Sequence, residues 1–321
     1  MTASRVEAMP LSTAGPSWAR VLGYLGAALL GAVLLFAAWA KALDPLAFAR
    51  EIHSQKLDFL LPASGVALLA LGLEVGLGAA LLLGVRRLWV LVPAALLVAF
   101  FLFLTGRTYW LALHGVAPDP GGCGCFGNLV ERSPAQAFWQ DLLLLVPLLA
   151  LACVGRPAPA ETSRPWGRTA LAALLALAAM GFAWKSPDLP LDDLATRLKP
   201  GVDVRTLCAG SGNDRVCLDT AVPDLASGAR LVVIADLADP GFQKAVDRLN
   251  AYAASGRQPG LTVLSDVTAE QKQAFFWRWA PSFPIVETPG ALLQPLYRRL
   301  PRSFVLQDGR VTRTYPGLPP L

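Results

Sequence analysis

The chain has 321 residues, of which 54% are hydrophobic and 16% charged, and its mean hydropathy is +0.47. A soluble chain of this length would carry roughly 25% charged residues, so a wholly soluble protein is excluded. The net charge of +5 comes mainly from Arg, and no Lys/Arg block with interleaved aromatics points to nucleic acid.

The apolar excess lies before residue 185 or so, which predicts a membrane half followed by a soluble half. A span needs about 20 mostly apolar residues to cross about 30 Å of hydrocarbon. Five runs qualify: Ala19–Ala40, Leu61–Val85, Leu88–Leu104, Phe138–Val154 and Thr169–Trp184. The first exceeds the roughly 7–15 residues of a signal-peptide core, so it reads as an uncleaved span behind a short cytoplasmic tail, residues 1–18. Short-loop cations set the orientation. Arg5, Arg20, Arg86, Arg87, Arg156, Arg164 and Arg168 outnumber Lys41, Arg50, Lys56, Arg107 and Arg132. This places the N-terminus inside a cell (inner) membrane. The loop between the third and fourth spans, and everything after residue 186, then fall outside.

Glu74 is the anomaly of the second span. A carboxylate at that depth is costly unless paired, protonated or facing a wet cavity. Lys41, Arg107 and the backbone of a neighbouring helix are its candidate partners. It reads either as a proton or quinone site or as a structural ion pair; no cofactor is evident, and a quinone site is not shown by the sequence. Asp141 adds a second acidic group near the outer face, and Gly72, Gly76 and Gly78 suit close helix approach.

After the third span, Pro118, Pro120, Gly121 and Gly122 open an irregular loop that carries Cys123-Gly124-Cys125-Phe126-Gly127. Ser133-Pro134 then reads as a cap and first turn launching the fourth helix. His114, beside the loop, reads as an interfacial polar residue. Two thiols one residue apart close only in a small, strained ring, and strain makes a disulfide a better oxidant. Three readings stay open: a redox pair, bridges to Cys208 or Cys217, or a metal site. Zinc would want a second Cys/His cluster, which this half lacks, so no metal is assigned. Cys153, inside the fourth span, reads as a small hydrophobe.

The soluble half begins near Ser186. Cys208 and Cys217 flank a turn-rich tip, which suits a disulfide-closed hairpin in an oxidising compartment. Leu231–Ile234 and Leu261–Leu264 read as buried strands. Asp239-Pro240 launches a helix with Phe242, Ala245, Val246 and Leu249 on one face. Thr268 and Gln271 form a capping box before a helix carrying Phe275, Phe276 and Trp279. Leu300–Leu306 leads through Asp308-Gly309 into Arg310–Tyr315, a hairpin. The fold class is therefore an α-helical membrane bundle followed by an α/β soluble domain.

The stretch Leu300-Pro301-Arg302-Ser303-Phe304-Val305-Leu306-Gln307-Asp308-Gly309-Arg310-Val311, with the strand order, resembles the thioredoxin family. By that resemblance Pro301 should be cis. The family's Cys-x-x-Cys position holds Leu237-Ala238-Asp239-Pro240, so the resemblance implies a degenerate docking or scaffold module.

The membrane half resembles the MauE branch of the DoxX-like proteins. The matching residues are Lys41-Ala42-Leu43-Asp44-Pro45, Leu61-Pro62, Glu74 followed by Gly76, and Cys123-Gly124-Cys125-Phe126-Gly127. That family is associated with methylamine utilisation and with maturing a disulfide-rich periplasmic subunit. The resemblances together imply a four-helix unit over 19–155, an inner loop and fifth span over 156–185, and a thioredoxin-like domain over 186–321. They imply a redox-associated membrane protein, a thiol–disulfide oxidoreductase if it is an enzyme, whose Cys123 and Cys125 serve disulfide formation or transfer in exported proteins. Partners would be exported or periplasmic protein thiols or a separate thioredoxin-like protein, within a lipid bilayer. The alternative is a non-catalytic anchor or assembly factor whose soluble domain docks a partner.

Overall fold

A computed structural model describes residues 17–115, 132–155, 166–210 and 215–319. The first half contains helices α1 (Ser17–Leu43), α2 (Pro45–Ser54), α3 (Ala63–Leu82), α4 (Leu88–Leu113), α5 (Pro134–Cys153) and α6 (Trp166–Lys185). All but α2 are long and apolar enough to cross a membrane, which makes this a multi-pass membrane protein. Leu29, Leu96, Leu143 and Leu174 point outward from the bundle, where a soluble helix would place polar groups.

Hydropathy does not reveal α2, because Arg50, Glu51 and His53 interrupt any apolar run. Its start is nonetheless written locally: Asp44 accepts a hydrogen bond from the Ala47 amide at 3.0 Å, and Pro45 occupies the first turn. Helix α4 also runs past the expected limit at Leu104 to Leu113. The extension carries two buried threonines whose hydroxyls donate to carbonyls one turn back, Thr105 to Phe101 at 2.9 Å and Thr108 to Leu104 at 3.0 Å. Their polarity is therefore spent within the helix.

Glycines set how closely the helices approach. A Cβ on Gly31 of α1 would lie 2.6 Å from the Gly78 carbonyl oxygen of α3, and one on Gly78 would lie 3.0 Å from the Gly31 oxygen. This is the small-residue contact expected between membrane helices. On another side of α3, Gly72 meets Met180 and Gly76 meets Ala176, both of α6. The three small residues flanking Glu74 thus serve two different neighbours.

The bundle has two distinct ends. At one, Arg86 donates to the carbonyls of Ala152 at 3.1 Å, Arg20 at 3.3 Å and Val154, and Arg168 donates to Leu83 at 3.3 Å. At the other lie the end of α1, all of α2, the end of α4 and the start of α5. Arg107 there donates to Gln55 at 2.7 Å, and Tyr109 stacks on Phe138 with centroids 5.8 Å apart. Ser133 caps α5 in a reciprocal box with Gln136.

The second half forms an α/β domain. Its strands are β1 (Cys208–Ala209), β2 (Val216–Cys217), β3 (Ala229–Ile234), β4 (Gly260–Ser265), β5 (Ile285–Glu287), β6 (Arg302–Gln307) and β7 (Arg310–Tyr315). The main sheet is open, in the order β5-β4-β3-β6-β7. Strands β4, β5 and β7 run parallel to β3, whereas β6 is antiparallel to it. This is the thioredoxin-like class. Asp308 and Gly309 both take positive φ, 50° and 79°, as a two-residue hairpin turn requires.

Alternation along β3 sends Val232 and Ile234 to one core and Leu231 and Val233 to the other. The short helices α7 (Asp192–Ala195) and α8 (Leu218–Ala221) lie before β1 and after β2, and the second core is filled by α9 (Pro240–Gln243), α10 (Val246–Ala254) and α11 (Ala269–Trp279), with Phe242, Val246, Leu249 and Phe275 inward. Two details differ from expectation. The helix after Asp239-Pro240 divides at Lys244-Ala245 into α9 and α10. Phe276 lies on the open face of α11 beside Trp277, because only one stripe of an eleven-residue helix can face the sheet.

Candidate functional site

The candidate site lies where the bundle meets the soluble domain. Lys41, near the end of α1, is 2% exposed, and Glu74 of α3 is 0% exposed. The two are joined by a direct ion pair. The Lys41 ammonium also lies 4.9 Å from the ring centroids of Phe48 on α2 and Phe101 on α4. Aromatic faces stabilise a desolvated cation. Four helices therefore converge on one ammonium–carboxylate pair. Of the three partners the sequence allowed Glu74, the structure uses Lys41; Arg107 reaches Gln55 instead. The second carboxylate oxygen, Glu74 Oε2, is buried without a hydrogen-bond partner.

One turn further along, Asp44 is 5% exposed. Its Oδ1 accepts the α2 cap, while its Oδ2 is buried without a partner. Burial pushes the Asp44 carboxyl above the ordinary carboxylate range, against the opposing pull of the Ala47 amide, Arg50 and Arg298. At the start of α5, Arg132 pairs with Asp141 at 2.9 Å, both largely buried.

The soluble domain sits on this same end. Ser186, following α6, donates its hydroxyl to the Leu43 carbonyl at 3.0 Å. Arg298, 2% exposed, donates to the Ser186 carbonyl at 2.7 Å, the Ser186 hydroxyl at 2.8 Å and the Leu189 carbonyl at 3.1 Å. Tyr297 lies under the Arg50 guanidinium of α2, 5.5 Å from ring centroid to carbon. The Leu300–Pro301 peptide is cis. Arg302, 1% exposed, donates to Thr196 Oγ1 at 2.7 Å and to Asp193 Oδ1 and the Leu198 carbonyl at 3.0 Å each. It lies 3.8 Å from Asp192. The loop around Pro301 is therefore fastened to the segment that leaves the membrane. Cys208 and Cys217 form a disulfide between paired positions of β1 and β2.

Cys123 and Cys125 fall in residues 116–131, outside the described residues. The helices bracketing that segment, α4 and α5, both meet it at the end that carries the soluble domain. His114 closes α4 there, its ring nitrogen 2.8 Å from the Trp110 carbonyl. Cys153 is a free thiol on an outward face of α5. Among the described residues, no group of three or more His, Cys, Asp or Glu side chains could hold a metal.

Sequence reasoning counted Lys41, Arg86 and Arg132 as loop charges, whereas all three are drawn into the protein, Lys41 and Arg86 by partners far along the chain and Arg132 by the nearer Asp141. It passed over Asp44, Tyr297, Arg298 and Arg302. Asp44-Pro45 carried a readable capping signal, but the Tyr297-Arg298-Arg299 run carried none that separates a buried arginine from a surface one.

Residues 19–155 match the family described as Methylamine utilisation protein MauE. The membrane region is MauE-like. This match spans less than half of the chain and includes Lys41, Asp44, Glu74, Cys123 and Cys125. Behind the MauE-like region, the soluble domain has a weak likeness to a crystal structure provisionally described as a thiol:disulfide interchange protein, DsbE, from Chlorobium tepidum. That likeness has 16% identity and a TM-score of 0.30, covering 38% of this chain and 89% of the other. Comparison with curated proteins gives no match.

Proposed function

We propose that the chain is a membrane-embedded redox protein whose Cys123 and Cys125 exchange disulfides with thiols of exported proteins. The observation that carries this reading is the MauE match, which extends across the Cys-x-Cys motif and both helices that bracket it. The end of the bundle where those helices meet the segment also holds the soluble domain.

The exchange balances without a further reagent. A partner thiolate attacks one sulfur of the Cys123–Cys125 disulfide and expels the other as a thiolate. A second partner thiolate then attacks the mixed disulfide. The partner ends oxidised, with two electrons and two protons passed to the pair. Reoxidation of the pair falls to a separate disulfide-bearing thioredoxin-like protein. The soluble domain has Leu237 and Pro240 where a thiol pair would stand, so its part is to dock and orient the partner. The proposal concerns thiol chemistry and does not extend to methylamine.

Orientation belongs to the same proposal. The positive-inside rule counts cations near the span ends, and seven on one side against five on the other favour an inner N-terminus and an outer soluble domain.

The test is to trap the intermediate. In cells carrying Cys125→Ser, Cys123 should accumulate as a mixed disulfide with an exported protein, seen as a reducible higher-mass band and identified by mass spectrometry. Neither Cys123→Ser nor Cys125→Ser giving such a band would sink the exchange reading.

A further inference from the structure

The end of the bundle away from the soluble domain holds cations where helices begin. Helices α1, α4 and α6 all start there, and none has an acidic residue in its first turn. Arg20 lies in the first turn of α1 and Arg168 in that of α6. A helix start carries roughly half a positive charge, so it favours anions and repels cations. The acidic residues of the described bundle, Asp44, Glu51, Asp58, Glu74 and Asp141, all lie at mid-span or toward the other end. Retention of inner loops accounts for cations on one side of a membrane. It does not account for their meeting around a single turn.

Arg20 and Tyr24 are four residues apart on α1 and share a face. Tyr24 lies under the Arg86 guanidinium, 4.8 Å from ring centroid to carbon, and Arg86 donates to the Arg20 carbonyl at 3.3 Å. The turn after α3 takes a positive φ of 77° at Gly84. A Cβ there would lie 3.1 Å from Tyr24 Cε1 and 3.8 Å from Arg168 Nη1. The phenol of α1 and the guanidinium of α6 therefore flank one point. Arg86 is occupied by the Ala152 and Val154 carbonyls at the end of α5. Arg168 is exposed and places one N–H of its five on the Leu83 carbonyl; Arg20 is exposed beside it. Trp18, Trp89 and Trp166, at the starts of the same three helices, project outward. Tryptophans so placed mark the depth of the lipid headgroups.

From this placement we propose that Arg20, Tyr24 and Arg168 bind the phosphate of an anionic phospholipid. The two guanidinium groups and the phenol donate to the phosphate oxygens. The phosphate charge in turn offsets the positive starts of α1 and α6. The tryptophan rim and the outward Leu25 of α1 and Leu171 of α6 favour a lipid over free phosphate, because they give its acyl chains an apolar surface next to the charged groups. The proposal goes beyond the thiol reading, since it needs neither Cys123 nor Cys125, nor the soluble domain.

The experiment is native mass spectrometry of the full chain in a neutral detergent, titrated with phosphatidylglycerol and separately with phosphatidylcholine. The parent should prefer phosphatidylglycerol. Arg20→Gln/Arg168→Gln should weaken that binding about 30-fold, each surface cation contributing about fivefold. Arg107→Gln, at the other end of the bundle, should bind as the parent does, and so should Cys123→Ser/Cys125→Ser. Inorganic phosphate should not compete. A second measurement needs no variant: a photoactivatable phosphatidylglycerol added to the unaltered chain should label peptides covering residues 17–24 and 166–171. Equal affinity for the two lipids, equal binding by the parent and the double glutamine variant, an equal loss in Arg107→Gln, displacement by inorganic phosphate, or labelling only elsewhere overturns the proposal.

Discussion

Both halves of the molecule bury charge, but they satisfy it differently. In the soluble domain, Arg298 and Arg302 each spread two terminal nitrogens over three close acceptors, leaving only Nε open. In the bundle, Lys41 and Glu74 have one ionic contact between them, two aromatic faces and an open carboxylate oxygen. The first pattern ties segments together. The second leaves Glu74 Oε2 without a protein partner, in the part of the protein where water is scarcest.

That contrast gives its largest expected effect at the ion pair. Lys41→Met or Glu74→Leu alone strands one buried charge and should destabilise the full chain by about 3–5 kcal/mol. The double variant, with no charge left to strand, should recover most of that loss. Thermal or denaturant unfolding in nanodiscs measures both. A double variant as unstable as the singles would show that the pair does not act as a unit.

Arg302→Met should cost less, about 2–3 kcal/mol, because Asp192 and Asp193 are partly exposed and can rehydrate. No second substitution should be needed to relieve them. If Arg302→Met were neutral, the tie between the Pro301 loop and residues 192–198 would carry little of the domain's stability.

Removing the Cys208–Cys217 bond with paired serines opens a short loop, the cysteines being 9 residues apart. The expected loss is about 2–3 kcal/mol, confined to the soluble domain, and it should not alter the state of Cys123 and Cys125. Proteolysis of the domain with and without reductant measures it.

The smallest effect concerns Asp44. Its carboxyl is raised in the folded protein relative to the ordinary value of 3.8. Its contribution to stability is therefore fully present below that value and lost as pH rises through the folded value. Asp44→Asn preserves a capping side chain and should flatten this dependence, gaining on the parent as pH rises toward neutrality. Unfolding curves at a series of pH values would show it; parallel curves would place Asp44 in a more hydrated setting than the one described.

How much of this was legible in the sequence follows from the range of each interaction. Spans, strands, the Ser133 and Thr268 caps and the Asp308-Gly309 turn depend on neighbours within a few positions, and local pattern suffices for them. Helix α2 escaped because its ten residues mix apolar and charged side chains in a stretch too short for hydropathy to register. The charge pairs were legible only in part: Lys41 stood among three candidate partners of Glu74, and nothing local singled it out. Lys41 and Glu74 are 33 positions apart, and Arg298 and Ser186 are 112 apart, so only packing tells a buried Lys or Arg from a loop cation. Glu74 stood out because a lone carboxylate in an apolar run is conspicuous; Lys41, at the edge of its run, did not.

The most direct measurement of the central claim is the redox state of Cys123 and Cys125 in intact cells. A membrane-impermeant alkylating reagent, applied before and after reduction, reports by mass shift whether the pair is accessible from outside and whether it cycles. The account predicts an oxidised fraction in the parent that reduction opens to outside labelling, and loss of exported-protein disulfides in Cys123→Ser/Cys125→Ser. A pair that is always reduced, with normal disulfides in the double variant, would contradict it.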